Sequence, residues 1–165
     1  MEETQAVLER LETVRGGTLR RLEALTQEAL DQRPAVPEGN GEEAWSPGEI
    51  FMHLAIDEVY VRELIARPLL EGVKPPDGVR FLPPPPPHGV SKDVIRYWFE
   101  RARTLTRRLL EAWPEDANLT LRHEGGLREM NALEWLRGYA GHEELHQRQL
   151  DEMVSDQKHV EVRSA

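Results

Sequence analysis

Apolar residues recur every three or four positions in four separate stretches of the chain, and charged residues fill the positions between them. This spacing is typical of amphipathic α-helices that each bury one face. The predicted helices cover about residues 3–30, 46–66, 91–113 and 131–155, and no strong strand pattern appears. Four helices of this length indicate an all-α fold, an antiparallel four-helix bundle.

Each predicted helix carries one apolar stripe, and three of the positions on these stripes are histidines. The stripe predicts which side chains point into the bundle. In the first two helices the predicted inward positions are Leu8, Leu11, Thr18, Leu22, Leu25 and Ala29, then Ile50, His53 or Leu54, Asp57, Val61 and Leu64. In the last two helices they are Val94, Trp98, Ala102 or Arg101, Leu105 and Leu109, then Trp135, Tyr139, His142, His146, Leu150 and Met153.

Local signals mark where two of the helices begin. Ser46 is followed by Pro47 and, three residues after the serine, by Glu49. This is a capping box with a proline in the first turn, a strong helix-start signal. Asn131 and Glu134 repeat the capping-box spacing at the start of the fourth helix.

Glycine and proline predict the breaks. The pair Gly16–Gly17 predicts a bend in the first helix, and Pro68 predicts that the second helix ends near residue 66. A connection rich in Pro and Gly follows over about residues 69–90 and includes five successive prolines, 83–87. These prolines exclude a helix and predict a polyproline II crossover between helices 2 and 3.

The length of 165 residues fits one domain. We expect residues 1–155 to form this single bundle domain and residues 156–165 to form a polar C-terminal tail. Between the third and fourth helices, residues 115–130 predict either a short hairpin around Gly125–Gly126 or a loop.

Composition excludes several classes of partner and site. A net charge of −9 disfavours nucleic-acid binding, because the phosphate backbone would be repelled. No apolar run approaches the roughly 20 residues that cross a bilayer, and the acidic N-terminus does not resemble a signal peptide. The cytoplasm is therefore the default expectation. The chain has no cysteine, so any metal site must use His, Asp or Glu.

Three of the six histidines point to a metal site. His142 and His146 lie four residues apart in the sequence HEELH, so both rings project from the inward face of the fourth helix. His53 lies on the inward stripe of the second helix, which can face the fourth. Three imidazoles plus one open position make a catalytic type of metal site. The alternative is that these histidines are hydrogen-bonded core residues without a metal.

Two carboxylates lie near these histidines in sequence. Asp57 is one helical turn after His53, so it can orient an imidazole, act as a base near the open position, or form an ion pair with an arginine. Glu143 is one residue beyond His142, about 100° around the helix. It either reaches the periphery of the metal or is a solvated charge.

The segments WSPGEIFMHLAIDE and GHEELHQRQL together resemble the DinB-like (YfiT-like) superfamily of metal-dependent proteins. The resemblance extends over nearly the whole chain. It implies an antiparallel four-helix bundle that holds a divalent cation, often zinc or nickel, through three histidines, which by position are His53, His142 and His146. It also implies that two copies can pair as a homodimer. Some members are transferases or isomerases that use low-molecular-weight thiols such as bacillithiol or mycothiol, and others have no assigned activity.

The resulting hypothesis is a metal-dependent hydrolase or thiol S-transferase in which the cation activates water or a small thiol. One alternative is a non-catalytic bundle that binds a metal or ligand. A second is a zinc peptidase, because HEELH satisfies the H-E-x-x-H pattern with Glu143 as general base. The sequence disfavours a peptidase, because it offers no suitable third metal ligand downstream of His146 and no evident edge strand that could hold a peptide.

Overall fold

Four long helices dominate the computed structural model, which describes residues 2–34, 44–75, 86–124 and 128–163. Helix α1 contacts α5 and α6, and α3 contacts the same two helices, so the four long helices form a ring. The predicted four-helix bundle is confirmed. The elements are α1 (Glu2–Ala24), α2 (Gln27–Asp31), α3 (Pro47–Tyr60), α4 (Arg67–Leu70), α5 (Lys92–Glu111), β1 (His123–Glu124), β2 (Glu129–Met130) and α6 (Ala132–Arg163).

The first predicted helix breaks at a different place from the one expected. Helix α1 continues through Gly16 and Gly17 without interruption, and the helix ends at Ala24. Thr26 then caps the short helix α2, because its side chain accepts a hydrogen bond from the amide of Ala29. Gly17 has a packing role instead, since a Cβ there would lie 2.9 Å from the Gln147 side chain of α6.

The predicted start of α3 is confirmed, and its predicted end is wrong. Ser46 and Glu49 form the reciprocal capping box, with the Ser46 amide donating to the Glu49 carboxylate at 2.8 Å. The helix does not stop near residue 66. It continues through a π-helical turn, Val61–Ala66, into α4, which contains Pro68.

The π-helical turn also changes which side chains face the core. In this turn each amide bonds to the carbonyl five residues earlier, as Arg67 does to Arg62, so one extra residue is accommodated. The inward position shifts accordingly. Leu64, predicted to point inward, is 48% exposed, and Ile65 is buried in its place.

The predicted inward stripe of α5 is confirmed at Ala102, and most of its other positions are wrong by about one residue. Val94 and Trp98 are exposed. Arg103 and Thr106 lie on the true inward face, where polar residues are not expected from the apolar pattern. The buried residues of α5 are Ile95, Phe99, Ala102, Arg103, Thr106 and Leu110.

The connection before α6 contains the short hairpin that was one of the two alternatives. Strands β1 and β2 are antiparallel, with His123 opposite Met130. The residue after the hairpin, Asn131, caps α6, and its side chain accepts from the Glu134 amide at 2.9 Å. The backbone of α6 stays helical beyond residue 155, to Arg163.

The glycine pair 125–126 and most of the proline run, 83–85, lie outside the described residues. None of the helices in the described part of the chain has the length and apolar character needed to cross a bilayer.

A layer of buried charges crosses the middle of the bundle, and each long helix contributes one member: Arg15, Glu58, Arg103 and Glu143. We call these four side chains the ionic layer. Arg15 donates to Glu143 at 2.7 Å and to Glu58 at 2.8 Å, and Arg103 donates to Glu58 at 2.8 Å. Two positive charges therefore balance two negative charges inside the protein.

The ionic layer separates two apolar clusters along the bundle. One cluster contains Leu11, Ile65 and Leu136, and the other contains Leu22, Phe51 and Leu150. The layer therefore explains why α5 places polar side chains inward. It also fixes the positions of the four helices relative to one another along the bundle axis, since each charged side chain must contact its partners.

Candidate metal centre

The three histidines predicted as ligands come together between α3 and α6. One ring nitrogen from each of His53, His142 and His146 lies within 4.8 Å of the other two. The Nε2 atoms of His53 and His142 are 3.1 Å apart. His53 and His146 are almost fully buried, at 3% and 1% exposure, whereas 31% of the His142 side chain is exposed. The site is thus closed on its inner side and reaches the surface at His142.

The helices position these rings by simple means. His142 and His146 are one turn apart on α6, so their rings lie next to each other on one face. The capping box at Ser46 sets the start of α3, and His53 follows it by two turns. Since α3 packs against α6, His53 completes the cluster.

The electrostatics favour neutral imidazoles. Burial, together with the neighbouring His142 and His146, lowers the pKa of His53 to about 3. Burial and His146 lower the pKa of His142 to about 4. Both rings are therefore uncharged near pH 7, and a neutral imidazole has the free lone pair that a metal ligand needs.

The donor set fits a divalent cation. Two nitrogens bound at about 2.0–2.1 Å in a tetrahedral site lie roughly 3.4 Å apart, close to the 3.1 Å between His53 and His142. His146 Nε2 is buried and has no hydrogen-bond partner among the described residues. Buried polar atoms normally have a partner, so an unpartnered imidazole nitrogen at this position matches a site built for a cation. His53 faces His142 with Nε2, and its buried Nδ1, on the other side of the ring, has no hydrogen-bond partner among the described residues.

Gln149 prepares His146 for the ligand role. The Gln149 Oε1 atom lies 2.8 Å from His146 Nδ1. An amide oxygen only accepts, so Nδ1 carries the proton and the lone pair is on Nε2. Nε2 is also the buried nitrogen without a partner. The i, i+3 spacing of His146 and Gln149 on a helix could have revealed this pair from the sequence.

Comparison with known proteins shows the family of this chain. The sequence model of the DinB superfamily matches residues 10–150, which is most of the chain and a range that includes His53, His142 and His146. The chain belongs to the DinB superfamily. Among solved structures, a protein described as TT2238, a four-helix bundle protein, is similar to this chain. The TM-score is 0.63 at 22% identity, over 90% of this chain and 98% of that one, which supports the fold. No curated protein matches the sequence.

Asp57 belongs to the surroundings of the site in this DinB-superfamily chain. Its Oδ2 atom lies 3.5 Å from Nε2 of His142, and 14% of its side chain is exposed. The contact is to the same nitrogen that faces His53. Asp57 is therefore on the side of the ring where a cation would bind, near the exposed edge of the site.

Glu143 has a different environment from either expectation. Its carboxylate is fully buried, so the interpretation as a solvated charge is wrong. Oε1 accepts from Arg15 and, at 2.6 Å, from Thr18, and Oε2 accepts from Arg15 at 3.1 Å. The carboxylate belongs to the ionic layer, and it is not part of the group of ligand atoms that the described residues bring together.

Two aromatic residues contact the histidine rings of the DinB site. Trp45 lies against His53 with ring centroids 4.9 Å apart. Tyr139 is buried, as its place on the inward stripe predicted, and its ring centroid is 6.4 Å from that of His142. Tyr139 and His142 are three residues apart on α6, so the spacing along the helix already placed them on one face.

Proposed function

We propose that this protein is a metal-dependent enzyme in which His53, His142 and His146 hold one divalent cation, with zinc or nickel as the preferred metals. The supporting observation is the convergence of three imidazoles, each with a ligand atom within 4.8 Å of the others. When bound, such a cation supplies a Lewis acid that makes water or a thiol more acidic. Three protein ligands leave a position for a small molecule.

The surroundings suggest how a small substrate would enter and react. The exposed edge of His142 is the one described part of the cluster that opens widely to solvent, so we place the entrance there. Asp57 lies at the same edge, 3.5 Å from His142 Nε2. We assign it the role of proton acceptor for the water or thiol, because a carboxylate at that position can take the proton without leaving the site.

The substrate class that we favour is a low-molecular-weight thiol reacting with an electrophilic acceptor. Asp57 would take the thiol proton, the sulfur would form a bond to the electrophilic carbon, and the leaving group would depart with its bonding electrons. Hydrolysis of a small molecule by an activated water is the second chemistry that the same arrangement supports. The buried position of Glu143 disfavours the zinc-peptidase alternative, since that chemistry needs a free carboxylate beside the metal.

Metal analysis tests the proposal first. We expect about one zinc or nickel ion per chain after supplementation, and loss of that ion in His53→Ala and in His142→Ala. His88→Ala is a matched control, because His88 is 45% exposed on its side chain and lies beside Glu49, outside the cluster. Wild-type protein that takes up no stoichiometric metal would remove the basis of the enzyme proposal.

Turnover assays then test the chemistry. The loaded protein is mixed with bacillithiol, mycothiol or other small thiols and an electrophilic acceptor. We expect Asp57→Asn to keep the metal and to lower the rate by about 100-fold or more, as for a lost general base. No turnover with any thiol would favour the hydrolase or the non-catalytic binding bundle.

We also propose that two copies pair through the outer face of α5. Tyr97 and Trp98 are 58% and 43% exposed there, their rings are 5.6 Å apart, and Val94 extends the same apolar surface. Clustered exposed aromatics are typical of interfaces. Light scattering on the wild type and on Trp98→Glu tests this, with a dimer expected for the first and a monomer for the second.

A further inference from the structure

Tyr139 joins the ionic layer to the metal centre. Its hydroxyl donates to the carbonyl oxygen of Leu54 at 2.7 Å and accepts a hydrogen bond from Arg15 Nη2 at 3.0 Å. Leu54 is the residue directly after His53, and Tyr139 lies three residues before His142 on α6. One buried hydroxyl therefore connects the backbone that carries His53 to the helix that carries the other two histidines.

This connection has a geometric consequence for ligand binding. His53 is on α3, and His142 and His146 are on α6, so the fit of the cation depends on the separation of the two helices. Metal–nitrogen distances are tolerated within about 0.2 Å. The hydrogen bond from Tyr139 to Leu54 sets that separation within one residue of His53, and the bond from Arg15 keeps the hydroxyl in place.

The hydroxyl is not required to satisfy the charges around it. Arg15 still donates to Glu58 and to Glu143 when Tyr139 is truncated to phenylalanine. The Leu54 carbonyl keeps its place in the backbone ladder of α3. Removing the hydroxyl therefore leaves no unpaired charge, and its effect on folding should be limited to about that of one neutral hydrogen bond.

We propose that Tyr139 is a positioning residue for the metal centre, acting through His53. The inference depends on the proposed function, since it assumes that the three histidines bind a cation. Partners that orient metal ligands typically change affinity by about 10- to 100-fold when they are removed. We expect a loss of that size in the zinc affinity of Tyr139→Phe.

A zinc competition titration against a chromophoric chelator at pH 7 tests the affinity. Tyr97→Phe is a matched control, because it makes the same chemical change at an exposed position on α5. Thermal unfolding of both variants in chelator measures any general loss of stability. We expect Tyr139→Phe to bind zinc about 10- to 100-fold more weakly and to unfold within a few degrees of wild type, and Tyr97→Phe to match wild type in zinc affinity.

A double-mutant cycle separates positioning from general loosening. If Tyr139 acts through His53, adding Tyr139→Phe to His53→Ala should cause no further loss of the residual two-histidine zinc affinity. Equal losses in both backgrounds, or wild-type affinity in Tyr139→Phe, would overturn the positioning role while leaving the proposed metal function intact. Wild-type protein that binds no zinc or nickel would overturn both.

Discussion

Two buried polar regions of the bundle, the ionic layer and the histidine cluster, differ in how their side chains are paired. In the ionic layer, two charges of each sign cancel, and Arg15 and Glu143 meet partners at 2.7–3.1 Å. One nitrogen of this layer, Arg103 Nη1, has no hydrogen-bond partner among the described residues. In the histidine cluster, buried nitrogens of His53 and His146 have no partner among the described residues. The two regions are adjacent on α6, since Glu143 directly follows His142.

The difference indicates two kinds of role. A buried network in which opposite charges cancel holds the structure in one arrangement, and removal of one partner leaves an unpaired buried charge that costs stability. A group of buried imidazoles in which a nitrogen has no hydrogen-bond partner gives up stability, and a ligand can use that nitrogen. We therefore expect the first region to respond to mutation through folding and the second through metal binding.

The largest effect on stability should come from the ionic layer. Glu143→Ala leaves Arg15 and Arg103 buried against one carboxylate, so we expect the free energy of unfolding to fall by about 3–5 kcal/mol. Urea denaturation in the presence of chelator measures it. Glu144→Ala, one residue away, is the matched control, because Glu144 is 39% exposed and pairs with Arg10, a surface ion pair worth about 0–1 kcal/mol. Equal losses in the two variants would contradict a structural role for the layer.

Removal of a metal ligand should lower the free energy of unfolding by less than Glu143→Ala does, and only when metal is present. Free zinc at 100 times its dissociation constant should raise the free energy of unfolding of wild type by about 2.7 kcal/mol over the value in chelator. His142→Ala should lose this increase and keep the stability measured in chelator. His88→Ala should retain it. A zinc-dependent increase that survives in His142→Ala would place the metal elsewhere.

The smallest effect should be the change with pH in the free energy of unfolding of the metal-free protein. The unfolded chain has histidine pKa values near 6.5, whereas His53 and His142 in the folded state have values of about 3 and about 4. Between these pKa values the unfolded state binds more protons than the folded state, so the free energy of unfolding falls as pH decreases. We expect up to about 1.4 kcal/mol per pH unit for His53, and less for His142, whose side chain is partly exposed.

Glu58 of the ionic layer should not contribute between pH 5.5 and pH 6.5. Burial would raise the pKa of Glu58, but Arg15 and Arg103 outweigh it, so the pKa lies below its ordinary value. The stability that this carboxylate contributes is lost only as the pH falls below the unfolded glutamate pKa of about 4.3. Denaturation in chelator at pH 6.5 and pH 5.5 therefore isolates the histidines. His142→Ala should show a shallower slope than wild type, and an unchanged slope would assign the dependence to other groups.

Much of the fold followed from local patterns. The capping boxes at Ser46 and Asn131 are both present. The i, i+4 spacing of His142 and His146 was sufficient to place their rings together. Predictions from local pattern were wrong where contacts with a residue of another helix decide which side chains point inward. The stripe on α5 is displaced because Arg103 points inward to meet Glu58, a partner 45 residues earlier in the chain.

The sequence by itself determined the four long helices, the capping boxes at Ser46 and Asn131, and the three histidines on inward faces, because these depend on spacing along one helix. The tertiary structure alone decided that Glu143 is paired with Arg15, that Asp57 lies beside His142, and that Tyr139 bonds to Leu54. Each of these contacts joins different helices, so it depends on how the helices pack. The tertiary structure also decided the π-helical turn at Val61–Ala66. Which residues of this turn face the core depends on the helices packed against it.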